Sequence, residues 1–522
     1  MTAFRGMNTA QVREHAERLR TASGDVEGLT SRLTSAVRTA EWTGPDADEF
    51  RDRWTSLASQ RLDGLCTQLR ALGDGASAEA DEQDAASAVD DAPGIDGAPG
   101  ASHGPRPGGG YLHEDSPWLP DRFEGPLEGA VSDLAGLVSD GIGWGVDTGI
   151  DLLEDGLGLL GANTAGIAQF QRDADHLGGI LEDWATGERV PTIAEVGAAG
   201  LLTVGSAGVG VYEAVTGEDT PLLDDRAGGI VESVTTDDTP SPSPQTLQDL
   251  ILENDALRMD GSGGPLETGQ IGIQEVRRTG GGDPAYIVQV PPTEGAAITD
   301  VPGAYGEQGN SRDWGSNLRL VAGQHPAAMD DVRAAMQEAG VPPGADVMIV
   351  GHSQGGIVAN HLAADPTFNS TSGEPGTYDV THTFSVGSPV QTVVPAQGST
   401  QSVNVGHEGG LSAAGISGDL VPTLDLGGAQ VDGGTLEAPN RHEVSLPGYP
   451  VRSLDPGTVL GANHDSVGVD GRSDGGYSGS VGRAQATDPT LSAFQDELTG
   501  TYLGDGTYVS RSQVVTVGRG EP

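Results

Sequence analysis

Residues 347–365, VMIVGHSQGGIVANHLAAD, combine residue types and spacing that could do chemistry. An apolar strand, a Gly-x-Ser-x-Gly turn and a helix follow one another without a break. Ser353 at the apex of such a turn must take an unfavourable backbone conformation, and Gly351 and Gly355 remove the side chains that would collide there. The hydroxyl is then held away from the sheet, while the helix start behind it offers N–H donors and positive potential. A serine hydroxyl is a poor nucleophile at neutral pH. It needs a base, and the base needs a carboxylate to fix its tautomer.

Candidates for both partners lie downstream. The strand-like SVNVGHEGG (402–410) is followed by SGDLVPTLD, which puts Asp419 on a loop beyond a strand end, with Asp425 and Glu408 as rivals for the acid. RHEVSLPG then leads to GTVLGANHDSVG, in which His464 is the candidate base. His352, beside the serine, is expected to be structural, and His361, His382, His407 and His442 are expected to pack or face solvent. No lysine occurs anywhere in the chain, so a Ser-Lys dyad, a P-loop lysine and a Schiff base are excluded. With no HExxH and a single cysteine, Cys66, no metal site and no cofactor is expected.

The elements that must position these residues begin near Gln270, where short strands alternate with helices and the pattern reads as α/β. GQIGIQEVRR and AYIVQV are expected to pair as a hairpin, and HPAAMDDVRAAMQEAG to form a helix closed by Gly340 and Pro342-Pro343. Upstream, residues 119–215 have helical periodicity laced with glycine, including Leu127 to Leu157 on one stripe. Their most apolar piece, Val196 to Tyr212, reads as a closely packed helix, with a membrane contact as the minor alternative. Residues 85–118 and 216–246 read as linkers, the second ending in TTDDTPSPSPQT.

The spacing predicts an antiparallel helical hairpin over residues 1–84, with Val26, Leu29, Leu33 and Val37 on one helix and Phe50, Trp54, Leu57, Leu65, Leu69 and Leu72 on the next. With Trp42-Thr43-Gly44 at the turn, this hairpin resembles the WXG-motif proteins of type VII secretion systems. That resemblance implies a partner hairpin or a homodimer, and a secreted or cell-surface protein exported without a signal peptide; a cytoplasmic protein is the alternative.

Residues 247–522 are expected to form one domain, of which residues 270–480 resemble the α/β-hydrolases, in particular actinobacterial lipase/esterase-like domains. GHSQGG, HTFSVGSP (382–389), the Gly-Asp-x-Val-Pro segment at Gly418 to Pro422 and a late histidine carry the likeness. It implies Ser353 as nucleophile, Asp419 as acid and His464 as base, acting on an ester or lipid substrate. Its oxyanion hole implies the backbone N–H of Gln354 and of Thr293 in VQVPPTEG, where Pro292 stands in place of a glycine. The competing reading is a hydrolase-fold binding protein that has lost activity. With 27 basic against 76 acidic residues, the net charge of −49 excludes a nucleic-acid binder steered by its overall field. It also disfavours electrostatic docking to anionic membranes.

Overall fold

The computed structural model describes residues 165–216, 222–258, 269–294, 309–412, 415–451, 462–468 and 472–520, together with Arg13, Arg70 and Ser77. The hairpin expected at 1–84, the linker at 85–118 and the Leu127–Leu157 stripe otherwise lie outside the described residues. The chain divides into two compact units, Met1–Asp140 and Gly141–Pro522, and the second holds the sheet and the helices packed on it.

In chain order the elements are α1 (Ala165–Thr186), α2 (Ile193–Thr216), β1 (Ile230–Asp237), β2 (Ser241–Pro242), α3 (Leu247–Asp255), β3 (Gly269–Arg278) and β4 (Ala285–Val290). Next come α4 (Trp314–Val321), α5 (Ala327–Glu338), β5 (Asp346–His352), α6 (Gln354–Ala364), β6 (Asp379–Val386) and β7 (Gln401–Glu408). The last are β8 (Gly410–Ser412), β9 (Gly415–Ser417), β10 (Arg441–Pro447), α7 (Gly476–Ala484), α8 (Pro489–Leu498) and β11 (Thr507–Gly518). Nine strands form one mixed sheet in the order β1-β11-β3-β4-β5-β6-β7-β10, with β2 also paired to β11. β4, β5, β6, β7 and β10 run parallel, while β3, β11 and β1 extend the sheet antiparallel. This is an α/β fold.

Alternation along the strands sends side chains into two cores. Val347 and Ile349 of β5 face Val332 and Met336 of α5 and Ile357, Val358 and Leu362 of α6. Met348 and Val350 face the other way, toward Leu247 and Ile251 of α3, Val481 of α7 and Phe494 and Leu498 of α8. Local chemistry fixes the helix starts. Thr246 and Asp249 close a capping box on α3, Asp313 caps α4, and Asp488 caps α8 with Pro489 in its first turn.

One expectation is corrected. Residues 230–242, placed in the linker at 216–246, belong to the sheet: β1 pairs with residues 512–518 of β11 and forms its edge. Composition concealed the strand, because an edge strand with most side chains in water needs little apolar sequence. The expected hairpin of β3 and β4 and the helix at 327–338 are present. α1 and α2 pack together through Ala174, Leu177, Ile180, Ala198, Ala199 and Leu202, all buried. Among the described residues no helix is long and apolar enough to cross a membrane.

Candidate active site

β5 lies inside the sheet with neighbours on both sides, and its last residue, His352, hands the chain to Ser353. Ser353 takes φ 51° and ψ −118°, a conformation that costs a residue with a side chain about 1–3 kcal/mol. Its surroundings hold it there. The Ser353 N–H donates to the Val386 carbonyl at 2.9 Å, and the Ser388 hydroxyl donates to the Ser353 carbonyl at 2.8 Å. A Cβ on Gly351 would lie 2.2 Å from the Gly355 carbonyl carbon, one on Gly355 1.9 Å from the Val290 carbonyl oxygen, and one on Gly356 2.1 Å from the Ser388 hydroxyl. The glycines therefore let α6 start directly against the ends of β4 and β6.

His464 Nε2 lies 3.1 Å from Ser353 Oγ, and His464 Nδ1 lies 2.8 Å from Asp419 Oδ2. A carboxylate can only accept, so the proton belongs on Nδ1 and Nε2 is left to accept from the serine hydroxyl. Asp419 is buried, and its Oδ1 accepts the Val421 N–H at 2.9 Å. The acid follows the small β8–β9 hairpin, and its own N–H is tied to the His407 carbonyl. The rivals go elsewhere. Asp425 accepts the Gln391 and Gly427 N–H groups at 2.6 and 3.1 Å and caps a short 3-10 turn, whereas Glu408 is exposed at the end of β7.

Gln354 and Thr293 are the two expected oxyanion donors. Gln354 opens α6, so its N–H has no acceptor within the helix. Pro291 and Pro292 lack an N–H, which makes Thr293 the first backbone donor after β4 that could face the elbow. The close approach of Gly355 to Val290 and Pro291 brings this loop against the start of α6. α4 braces both donors: Asn317 Nδ2 donates to Thr293 Oγ1 at 2.8 Å, and the Gln354 side chain donates to the Asp313 carbonyl at 2.8 Å. A buried ion pair, Arg312 to Glu294 at 2.9 Å, holds the next residue of the loop.

Other contacts at the site were not singled out in the sequence. His352 Nε2 donates to the His464 carbonyl at 2.7 Å, while its Nδ1 accepts from Ser466 Oγ at 2.7 Å. His407 Nδ1 donates to the Asn463 carbonyl at 2.6 Å. Burial drives both imidazoles below their ordinary range, His352 most strongly and with His464 adding to the effect, so both are neutral. The Tyr477 hydroxyl donates to Asp419 Oδ2 at 2.6 Å. A histidine preceding the serine was visible as a structural residue. The sequence marks His407 only as a residue that packs or faces solvent, and Tyr477 gives no signal, because their partners lie 56 and 58 residues away. Among the described residues, no group of three or more His, Cys, Asp or Glu side chains could hold a metal ion. Compared with known proteins, the chain matches no family model, no curated protein and no solved structure.

Proposed function

We propose that this chain is a serine hydrolase of the α/β-hydrolase kind that cleaves carboxylic esters. The observation that carries the reading is the continuous relay from Ser353 Oγ through both nitrogens of His464 to Asp419, at 3.1 and 2.8 Å. Ser353 Oγ attacks the acyl carbonyl carbon and its proton passes to His464 Nε2. The carbonyl oxygen, now negative, accepts from the N–H groups of Gln354 and Thr293, each worth about 3 kcal/mol when aimed at the developing charge. Collapse breaks the bond to the alcohol, which leaves with the proton from Nε2. Water then attacks the acyl-serine, gives its proton to the same nitrogen, and the acid departs as the serine recovers its proton. Asp419 stays ionised throughout and holds the imidazolium.

An apolar acyl chain is the substrate feature best supported. Leu420, Leu424 and Leu426, in the loop that starts at Asp419, are 53%, 57% and 37% exposed. In so acidic a chain, three exposed leucines in the loop that follows Asp419 favour an uncharged, lipid-like acyl moiety. Ser353→Ala is expected to lower the hydrolysis of short-chain nitrophenyl esters at least about 1,000-fold. Wild-type rates in that variant would sink the proposal.

Export rests on sequence alone. The Trp42-Thr43-Gly44 hairpin is proposed as a type VII secretion signal that binds a second hairpin. Removing residues 1–85 should abolish secretion while ester hydrolysis persists; unchanged secretion would refute this role.

A further inference from the structure

Three aromatic rings that the ester chemistry leaves unused pack around the relay. Tyr477 is fully buried, and its hydroxyl meets the same Asp419 oxygen that faces His464, at 2.6 Å against 2.8 Å. The His407 ring lies parallel to the Tyr477 ring, with centroids 4.1 Å apart and an interplanar angle of 1°. His407 also grips the backbone that carries the base, through Asn463, and is anchored by Ser480 Oγ at 2.8 Å. His352 stands 6.1 Å from Tyr477 between centroids and holds the His464 carbonyl. Burial and the neighbouring Asp419 charge drive the Tyr477 phenol well above its ordinary range, so it stays protonated and acts as a donor. The other charged groups near these rings are Arg483, which lies over Tyr449, Arg258, whose charge reaches His352, Asp465, whose carboxyl feels His464, and His464 itself.

We propose that Tyr477 and His407 form a positioning unit for the candidate triad: the Tyr477 hydroxyl fixes the Asp419 carboxylate for His464, and His407 fixes both the Tyr477 ring and the backbone bearing His464. The unit rests on the reading of this site as a serine hydrolase. Its physical basis is the oxygen shared on Asp419. With Val421 N–H on one oxygen and the phenol and imidazole on the other, three donors set the plane of the carboxylate. The phenol also draws charge from the oxygen that pairs with the imidazolium. Without it the carboxylate becomes a stronger acceptor for the His464 Nδ1–H, and that hydrogen bond tightens.

The test is the NMR resonance of the His464 Nδ1 proton in histidine-labelled full-length protein, wild type and Tyr477→Phe, beside ester kinetics on the same samples. Phenylalanine keeps the ring on His407 and removes only the hydroxyl. The expected result is a downfield move of that resonance, with kcat down about tenfold and KM unchanged. A resonance or a kcat that does not move would overturn the unit. If neither protein hydrolyses any ester, the serine-hydrolase reading fails, and the Nδ1 proton resonance still decides the contact with Tyr477. Should the variant not fold, the wild type decides: a cross-peak between the Tyr477 hydroxyl proton and the His464 Nδ1 proton is expected, and its absence is contrary. His407→Phe, which retains the stack but drops the bond to Asn463, should lower kcat while that cross-peak persists; an unchanged kcat removes His407 from the unit.

Discussion

Gly387 lacks a side chain for a reason that lies outside its own turn. It sits at φ +66°, and a Cβ there would lie 2.9 Å from the Tyr477 ring, 3.2 Å from His464 Nδ1 and 3.3 Å from Asp419 Oδ2. The relay therefore closes over the end of β6 only because nothing projects from it. The glycines of the elbow were legible in the sequence because their reason is local, within a few residues of Ser353. Gly387 was not, since its neighbours come from 419, 464 and 477. Asp425, the rival acid, has a different part. Burial pushes its carboxyl up to about 6 from an ordinary 3.8, against the pull of the Gln391 and Gly427 N–H donors and of Arg441. The folded chain thus binds this proton more tightly than the unfolded one. The stability contributed by the neutral form is fully present below pH 3.8 and is lost as the pH rises through about 6. Asp425→Asn mimics the neutral acid. Its melting temperature relative to wild type should therefore climb between about pH 4.5 and pH 7; a constant difference over that range would contradict the assignment.

At the scale of elements, α4 joins the glycine-rich helical pair to the segments that carry Thr293 and Gln354. Arg319 of α4 meets Asp173 of α1 at 2.6 Å with both side chains buried, and Arg319 also donates to the Leu223 carbonyl and to Gln324. From the same helix Asn317 reaches Thr293, and the capping residue Asp313 holds the Gln354 side chain. The small residues that make α2 a poor isolated helix let it lie close to α1, and tertiary packing supplies what propensity withholds. Asp173→Ala leaves the guanidinium buried beside an empty space. It should cost about 3–5 kcal/mol in urea unfolding, whereas a loss below about 1 kcal/mol would mean that α1 and α2 are only loosely attached. Helix starts, the β3–β4 hairpin and the β5–turn–α6 unit could all be read from periodicity and caps. β1 could not, because its partner in β11 lies more than 270 residues along the chain and only Val231 and Val234 hint at a buried side.

Across the whole molecule the charge of −49 sets how the surface is solvated and leaves the site to local geometry. The chain contains no lysine, so the proposed serine chemistry needs an imidazole as its base, and His464 is the one within hydrogen-bonding distance of Ser353. Ser353, Asp419 and His464 could be picked out as candidates because each comes after a strand in a fixed chain order. The groups that hold them could not, since Tyr477, His407 and Asn317 act through contacts made only when distant segments meet. The most direct measurement is covalent: full-length protein is treated with a fluorophosphonate probe, digested, and the adduct located by mass spectrometry. The account predicts one modified peptide carrying the adduct on Ser353, lost in Ser353→Ala and strongly slowed in His464→Gln. Wild-type protein that stays unlabelled, or an adduct that persists elsewhere in Ser353→Ala, would contradict it.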